Sequence, residues 1–339
     1  MTVHAFAPGR VNLIGDHTDY TGGFALPMAV ELGTTVVLRR GGAAVQLRSA
    51  DNRTPIVVPI NIADPAEVAA GWGRYVAGVV AEVRPEQGGT GTVSTTLPLG
   101  AGLSSSAALE VAVALALGFE GTPLELALAC QRAEQRAWGV LTGVMDQLAS
   151  ASGRAGHGLL MDFTTLSVTP VPIPEAVEVV VVDSGQRRAV AVSAYSERRS
   201  QCEAAAAVIG PLRDASVEAV AHIGDPVVRR RARHVVTENA RVLAFTECLR
   251  AGNGAEAGRL MTESHASLRD DFEVSTPALD GIVDDLLTRP GVHGARLTGA
   301  GFGGCVVALT EPGAPVPGRR MKAAGGAFVA AAGPADARG

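Results

Sequence analysis

The stretch Leu97-Pro98-Leu99-Gly100-Ala101-Gly102-Leu103-Ser104-Ser105-Ser106-Ala107-Ala108-Leu109-Glu110 constrains the fold most. An extended apolar segment must turn through two glycines and enter an alanine-rich helix within a few residues. The glycines let the backbone come close to a ligand, and the first turn of the helix carries amides with no partner of their own. Such a turn binds anions, and three consecutive serines add hydroxyls suited to phosphate oxygens or a divalent cation. A triphosphate is the natural ligand. Serine capping of an ordinary helix is the alternative that this segment by itself leaves open.

One count narrows the chemistry further: Lys322 is the only lysine. A P-loop needs Gly-Lys-Ser/Thr and a protein kinase needs a lysine upstream of its catalytic loop, so both are excluded. Any phosphate chemistry must rest on backbone amides, a metal ion and arginine. With 29 basic against 34 acidic side chains the net charge is −5, which disfavours nucleic acid as a partner. The run Arg229-Arg230-Arg231-Ala232-Arg233 is expected to be a solvated helix face.

A chain of 339 residues suggests two lobes with cores of their own. The mean hydropathy of +0.22 raises the question of a membrane. The richest apolar stretch, Ala107 to Phe119, is broken by Glu110 and falls short of the ~20 residues a span needs. No membrane partner is expected, and the first residues show no export signal, so a cytoplasmic protein is the expectation. Cys130, Cys202, Cys248 and Cys305 stand far apart and read as reduced, mostly buried thiols.

Strand patterns at Val3–Phe6, Thr34–Leu38, Val45–Arg48 and Thr92–Leu97 alternate with helical patterns, giving a mixed α and β fold. Thr122-Pro123-Leu124-Glu125 is a capping box opening a helix that Gly139 should end. Leu159–Phe163 and Val177–Val182 read as buried strands, and the Pro-rich Pro170–Pro174 between them as a candidate lobe boundary. Ser193–Val208 and Val227–Leu249 read as helices, and Gly294–Leu309 as strand, glycine turn and strand.

Three further clusters could carry chemistry. Ala7 to Tyr20 runs an apolar strand into a turn holding Asp16, His17, Thr18 and Asp19, a set of donors and acceptors suited to a small polyol. Arg10 sits there among apolar neighbours and needs an anionic partner. On the capped helix, Leu126, Cys130, Ala133, Glu134 and Ala137 share one face, so Glu134 points inward. Asp146 lies in the apolar Gly143-Val144-Met145-Asp146-Gln147. Either could be a core ion pair; both beside a phosphate-type loop suggest a metal ligand and a proton acceptor. Thr298-Gly299-Ala300-Gly301-Phe302-Gly303-Gly304-Cys305 reads first as a structural glycine turn.

Taken together, these segments resemble the galactokinases of the GHMP small-molecule kinase family. The resemblance is carried by Pro8 to Tyr20, Gly100 to Ala107 and Leu297 to Cys305, supported by Cys130 to Glu134, Gly143 to Gln147 and Tyr195 to Glu203. It implies an α/β (α+β) chain of two lobes. Residues 1–165 would form an N-terminal lobe like the second domain of ribosomal protein S5, and residues 166–339 a C-terminal GHMP lobe. The implied activity is ATP-dependent phosphorylation of the anomeric hydroxyl of galactose, giving α-D-galactose 1-phosphate, by a monomer acting on small molecules. Asp146 would accept the proton and Arg10 would stabilise the developing charge. Ser106 and Glu134 would hold Mg2+, while Gly100, Ala101, Gly102, Leu103, Ser104, Ser105 and Ser106 cradle the phosphates. Trp72 with Tyr75 matches the adenine side; Asp16, His17, Thr18, Asp19, Gly143 and Tyr195 would line the sugar.

Two departures stand out. Asp16 replaces the usual glutamate, shortening the reach to a sugar hydroxyl, and after Glu311 the helix the family places before its last strand is not found. Two other readings stay open: a kinase for another sugar such as arabinose or N-acetylgalactosamine, and a non-catalytic galactose and ATP sensor. The intact serine loop with Asp146 favours catalysis.

Overall fold

The computed structural model describes residues 1–50, 54–98, 100, 102–186 and 191–330. In chain order it forms β1 (Thr2–Asn12), β2 (Phe24–Ala25), β3 (Pro27–Arg40), β4 (Ala44–Ser49), β5 (Ile56–Pro59), α1 (Trp72–Val83), β6 (Gly89–Thr95), α2 (Ser105–Ala116), α3 (Pro123–Trp138), α4 (Met145–Ser152), β7 (His157–Asp162), β8 (Ser167–Pro172) and β9 (Glu178–Asp183). Then follow α5 (Ala191–Ile209), α6 (Val217–Val220), α7 (Pro226–Arg250), α8 (Gly254–Asp270), α9 (Pro277–Leu287), β10 (Val292–Thr298), β11 (Cys305–Thr310), β12 (Arg319–Met321) and β13 (Phe328–Ala330).

Three sheets organise these elements. The largest runs β13-β1-β3-β6-β4-β5, the second β10-β11-β9-β12, and a small one β2-β7-β8. Valines and alanines of α1, α2 and α3 pack over the first sheet, with Val76, Val79, Val111 and Ala133 meeting Val36, Leu38 and Val45. Helices α5, α7, α8 and α9 surround the second, where Leu279, Val283 and Phe272 meet Leu297 and Val306. A further core joins the two. Val11, Met28 and Val30 of β1 and β3 pack with Val179, Val307, Phe245 and Met261. The candidate site lies beside this joint.

The strands, helices, capping box and Gly139 stop all form where the residues indicate, and Thr122 and Glu125 make both bonds of the box. Pro170–Pro174 is not a plain linker. Pro170 and Pro172 lie in β8, opposite Leu159 and His157 of β7, and Ile173 N–H reaches back to Gly156 O at 3.0 Å. The prolines thus occupy the alternate positions whose amides face away from β7 on an edge strand, where a missing donor costs nothing. The division near residue 165 falls in the turn of this hairpin. Helices α1, α4, α6, α8 and α9 lie where the sequence assigns no element. After Glu311 the described residues form two short strands: β12 joins β9, and β13 crosses back to β1.

The arginine run is corrected as well. Arg231 is 2% exposed and turns inward, donating to Gln201 Oε1 at 2.8 Å, Asp271 O and Glu273. It is buried because three acceptors from distant segments satisfy its fork. Cys130, Cys202 and Cys305 are buried and Cys248 half-buried, and no described helix is long and apolar enough to cross a membrane.

Candidate active site

The site starts at the glycine-serine turn. Gly100 and Gly102 stand at φ 79°, and Ser104, the residue before α2, at φ 59° and ψ 47°. Gly102 and Ser104, left-handed on either side of Leu103, curl the amides into a concavity suited to an anion. Leu99 and Ala101 lie outside the described residues. Ser104 makes no side-chain cap, so the amides opening α2 are not consumed by it.

Strand β1 approaches this turn closely. A Cβ on Gly9 would sit 2.5 Å from Leu103 O, so only glycine fits. The register with β3 shifts between Pro8 and Arg10, and Arg10 N instead donates to Leu103 O at 3.2 Å. Such an irregularity re-aims the side chain. Arg10 Nη1 donates to Gly102 O at 2.7 Å, while Nε and Nη2 both reach Asp146 Oδ1 at 2.7 Å. Asp146 lies in the first turn of α4, and its Oδ2 accepts from Ser104 Oγ at 2.5 Å.

Asp146 opens into a cavity of about 300 Å³ with Arg10, Asp16, His17, Asp19, Gly143 and Tyr195, so these candidates converge. Asp16 is almost sealed. Its Oδ1 accepts from Gly299 N at 3.0 Å and its Oδ2 is paired with Arg296; burial pushes its pKa up against the pull of that guanidinium. His17 contacts Ala300 O through Nε2 at 3.2 Å and Tyr20 Oη through Nδ1 at 3.0 Å, an arrangement satisfied by the Nε2–H tautomer. Asp19 accepts from Tyr20 N at 3.0 Å, and burial, then the charge of Asp146, raise its pKa to about 7. Gly143 leaves room for it: a Cβ there would lie 1.6 Å from Asp19 Oδ2. Gly143 N donates to Tyr195 Oη at 3.3 Å.

Thr18 is not brought into the cavity. Its side chain is buried, and Oγ1 contacts Gly15 O and Phe24 O at 2.9 and 2.7 Å, closing the turn instead. Its neighbours face the cavity because it holds them.

A second cavity of about 400 Å³ is lined by Trp72, Tyr75, Trp138, Thr34, Thr95, Ser105 and Ser106 among others. Tyr75, Ser106 and Trp138 line both cavities and form their common wall. Tyr75 and Trp138 pack at 5.1 Å between centroids, and Arg74 lies over the indole at 5.2 Å. Glu134 lines the first cavity. Thr142 Oγ1 and Gln147 Nε2 both donate to its Oε2, at 2.9 and 3.1 Å, and no described residue donates to Oε1. Burial raises its pKa, and so does the nearby charge of Asp146. A cation would relieve that cost. The same Gln147 amide reaches Glu110, which is fully buried.

Sequence reasoning misses Arg296, Trp138, Gln147 and Glu110, and places Gly299 and Ala300 in a structural turn only. The density of glycine at 299–304 was the available signal for the last two; Glu110 and Arg296 stand as charges inside apolar patterns, which asks for a partner without naming it.

Comparisons with known proteins identify the family. The family model described as galactokinase galactose-binding signature matches residues 2–40, GHMP kinases N terminal domain residues 74–154, and GHMP kinases C terminal residues 245–317. The galactokinase of Roseiflexus sp. (strain RS-1) is 45% identical over 326 residues, covering 90% of this chain and 82% of its own. That of Chloroflexus aggregans is 41% identical over 336 residues, covering 91% and 83%. The crystal structure of Lactococcus lactis galactokinase complexed with galactose superimposes with a TM-score of 0.89 at 31% identity, over 96% of this chain and 95% of that one. The cavity with its paired arginine and aspartate, the serine turn beside it and these relatives agree: the chain belongs to the galactokinase family, within the GHMP kinases.

Proposed function

We propose that the chain transfers the γ-phosphoryl group of ATP to the anomeric hydroxyl of galactose, giving α-D-galactose 1-phosphate and ADP. The observation that carries the reading is Asp146: a carboxylate gripped by Arg10, open to one cavity whose wall, through Ser106, is shared with a second. Galactose would occupy the first cavity against Asp19, His17, Gly143 and Tyr195, and the nucleoside the second against Trp72 and Tyr75. The β- and γ-phosphates would lie on the turn Gly100 to Ser106.

In this arrangement Asp146 takes the proton as the sugar O–H bond breaks. The freed electron pair on that oxygen forms the new O–P bond, and the phosphoryl group leaves ADP. Arg10 supplies positive charge beside the reacting oxygens, and its bond to Gly102 O ties the base to the phosphate turn. Ser106 and Glu134 fit magnesium, which keeps waters and takes few protein ligands when phosphates supply the rest; bound there it would neutralise phosphate charge. Asp16, tied to Arg296, is a poor candidate for direct sugar contact, so specificity would rest on Asp19 and its neighbours.

The test is sugar-dependent ADP release by wild type and Asp146→Ala. A folded variant with near-normal turnover would overturn the assignment, and specificity constants for galactose, arabinose and N-acetylgalactosamine would settle the acceptor.

A further inference from the structure

Asp146 carries three donors, and their distribution says which oxygen can react. A carboxylate oxygen has two lone-pair positions. Arg10 Nε and Nη2 fill both on Oδ1, whereas Oδ2 receives only the Ser104 hydroxyl, at 2.5 Å. We infer that Ser104 is a positioning residue for the base: it holds the carboxyl group so that the free lone pair of Oδ2 faces the sugar, making Oδ2 the proton acceptor.

The backbone supports this independently. Ser104 is 8% exposed and stands at φ 59°, a conformation that side chains other than glycine, asparagine and aspartate rarely adopt. Glycine would sit there without strain. As the residue opening α2, a serine would normally cap the helix, yet Ser104 makes no cap bond. Its hydroxyl therefore repays neither the backbone conformation nor the helix end, and its bond to Asp146 remains. Strain of this kind persists where the surroundings make use of it. The neighbouring Ser105 lines the second cavity and Ser106 the wall between the two, so the three serines divide: one for the base, two toward the nucleotide side.

This inference rests on Asp146 being the base, and the experiment separates the two. Ser104→Ala removes the hydroxyl and keeps the backbone restraint; Ser104→Gly removes it and relieves the strain. Both should lower kcat about tenfold to a hundredfold, the worth of one hydrogen bond to a charged group. KM for ATP and for galactose, and ADP affinity by titration calorimetry, should stay within about twofold, and Ser104→Gly should melt at or above Ser104→Ala. Three results overturn it: unchanged kcat; a KM for ATP that rises in step with the loss, which would assign the hydroxyl to the phosphates; or a loss confined to the glycine variant, which would make stiffness of the turn the cause. Asp146→Asn run alongside tests the base itself. If it stays active, the functional reading has failed; if it is inactive while both Ser104 variants turn over normally, only the positioning role has.

Discussion

Asp146, paired with Arg10, and Asp16, paired with Arg296, both line one cavity, yet the Asp146 side chain keeps 32% of its surface and that of Asp16 only 2%. Both arginines are buried. What differs is access: Asp146 stands at the first turn of a short helix with one oxygen open to a ligand, whereas Asp16 spends both oxygens on the protein, one on Arg296 and one on Gly299 N. On the proposed reading of Asp146, the same pair of residue types serves as a reagent where water and substrate can reach it and as a clamp where they cannot. A buried pair is costly to assemble and costlier to break, while a half-open one contributes little stability. Activity should follow the first pair and stability the second.

The largest separation is expected from Asp146→Ala. Loss of a general base is worth about 10² to 10⁴ in rate, so sugar-dependent ADP release should fall at least a hundredfold, while the urea midpoint should drop less than in a variant that orphans Asp16, because Arg10 keeps its bond to Gly102 O and lines the open cavity. Arg296→Met should do the reverse in kind. It strands the Asp16 carboxylate without a cation, which costs about 3–5 kcal/mol of unfolding free energy, measured by urea titration. Pairing it with Asp16→Asn should recover most of that loss, because the penalty lies in the orphaned charge. A single variant as stable as wild type would break the comparison. Between these stands Arg10→Lys, which keeps the charge but not the double contact to Oδ1 or the bond to Gly102 O. A lysine has no planar fork, so kcat should fall about tenfold or more with folding intact.

Only one of the two pairs is legible in the sequence. Arg10 advertises itself as a cation in an apolar strand, and Asp146 as an acid amid apolar residues after a glycine, so each asks for a partner even though 136 positions separate them. Glu134 is equally readable, because helical periodicity places it on the face of Leu126 and Cys130. Arg296 is hidden: its strand buries most residues on both faces, so alternation says nothing about where it points, and its partner is 280 positions away. The role of Ser104 is hidden for a different reason. A left-handed serine at a helix entrance looks like a cap in sequence, and only the absence of the cap bond reveals the other partner. Trp138 reads as the last residue of an amphipathic helix, and its place in the wall of two cavities depends on α1 packing against α3. Strands and helix ends were legible because they are set by near neighbours; these three roles depend on contacts between distant segments.

A third aspartate sharpens the contrast, because among the described residues Asp19 has no arginine paired with it and accepts from backbone amides, that of Tyr20 among them. Burial, then the charge of Asp146, lift its pKa from 3.8 to about 7. Between those values the unfolded chain has released a proton that the folded chain retains. The native state therefore binds more protons, and stability falls as pH rises through the window. The contribution is complete below 3.8 and lost above about 7. Asp19→Asn removes this one titration and leaves those of Asp16 and Glu134 in both proteins, so they cancel in the difference. Urea midpoints from pH 4.5 to 8 should decline more steeply for wild type than for the variant, with the variant gaining relative to wild type toward the alkaline end. Parallel curves would mean that Asp19 is ionised in the fold after all. Its carboxylate would then stand beside that of Asp146 in a shared cavity, and access alone would no longer distinguish the proposed base from its neighbour.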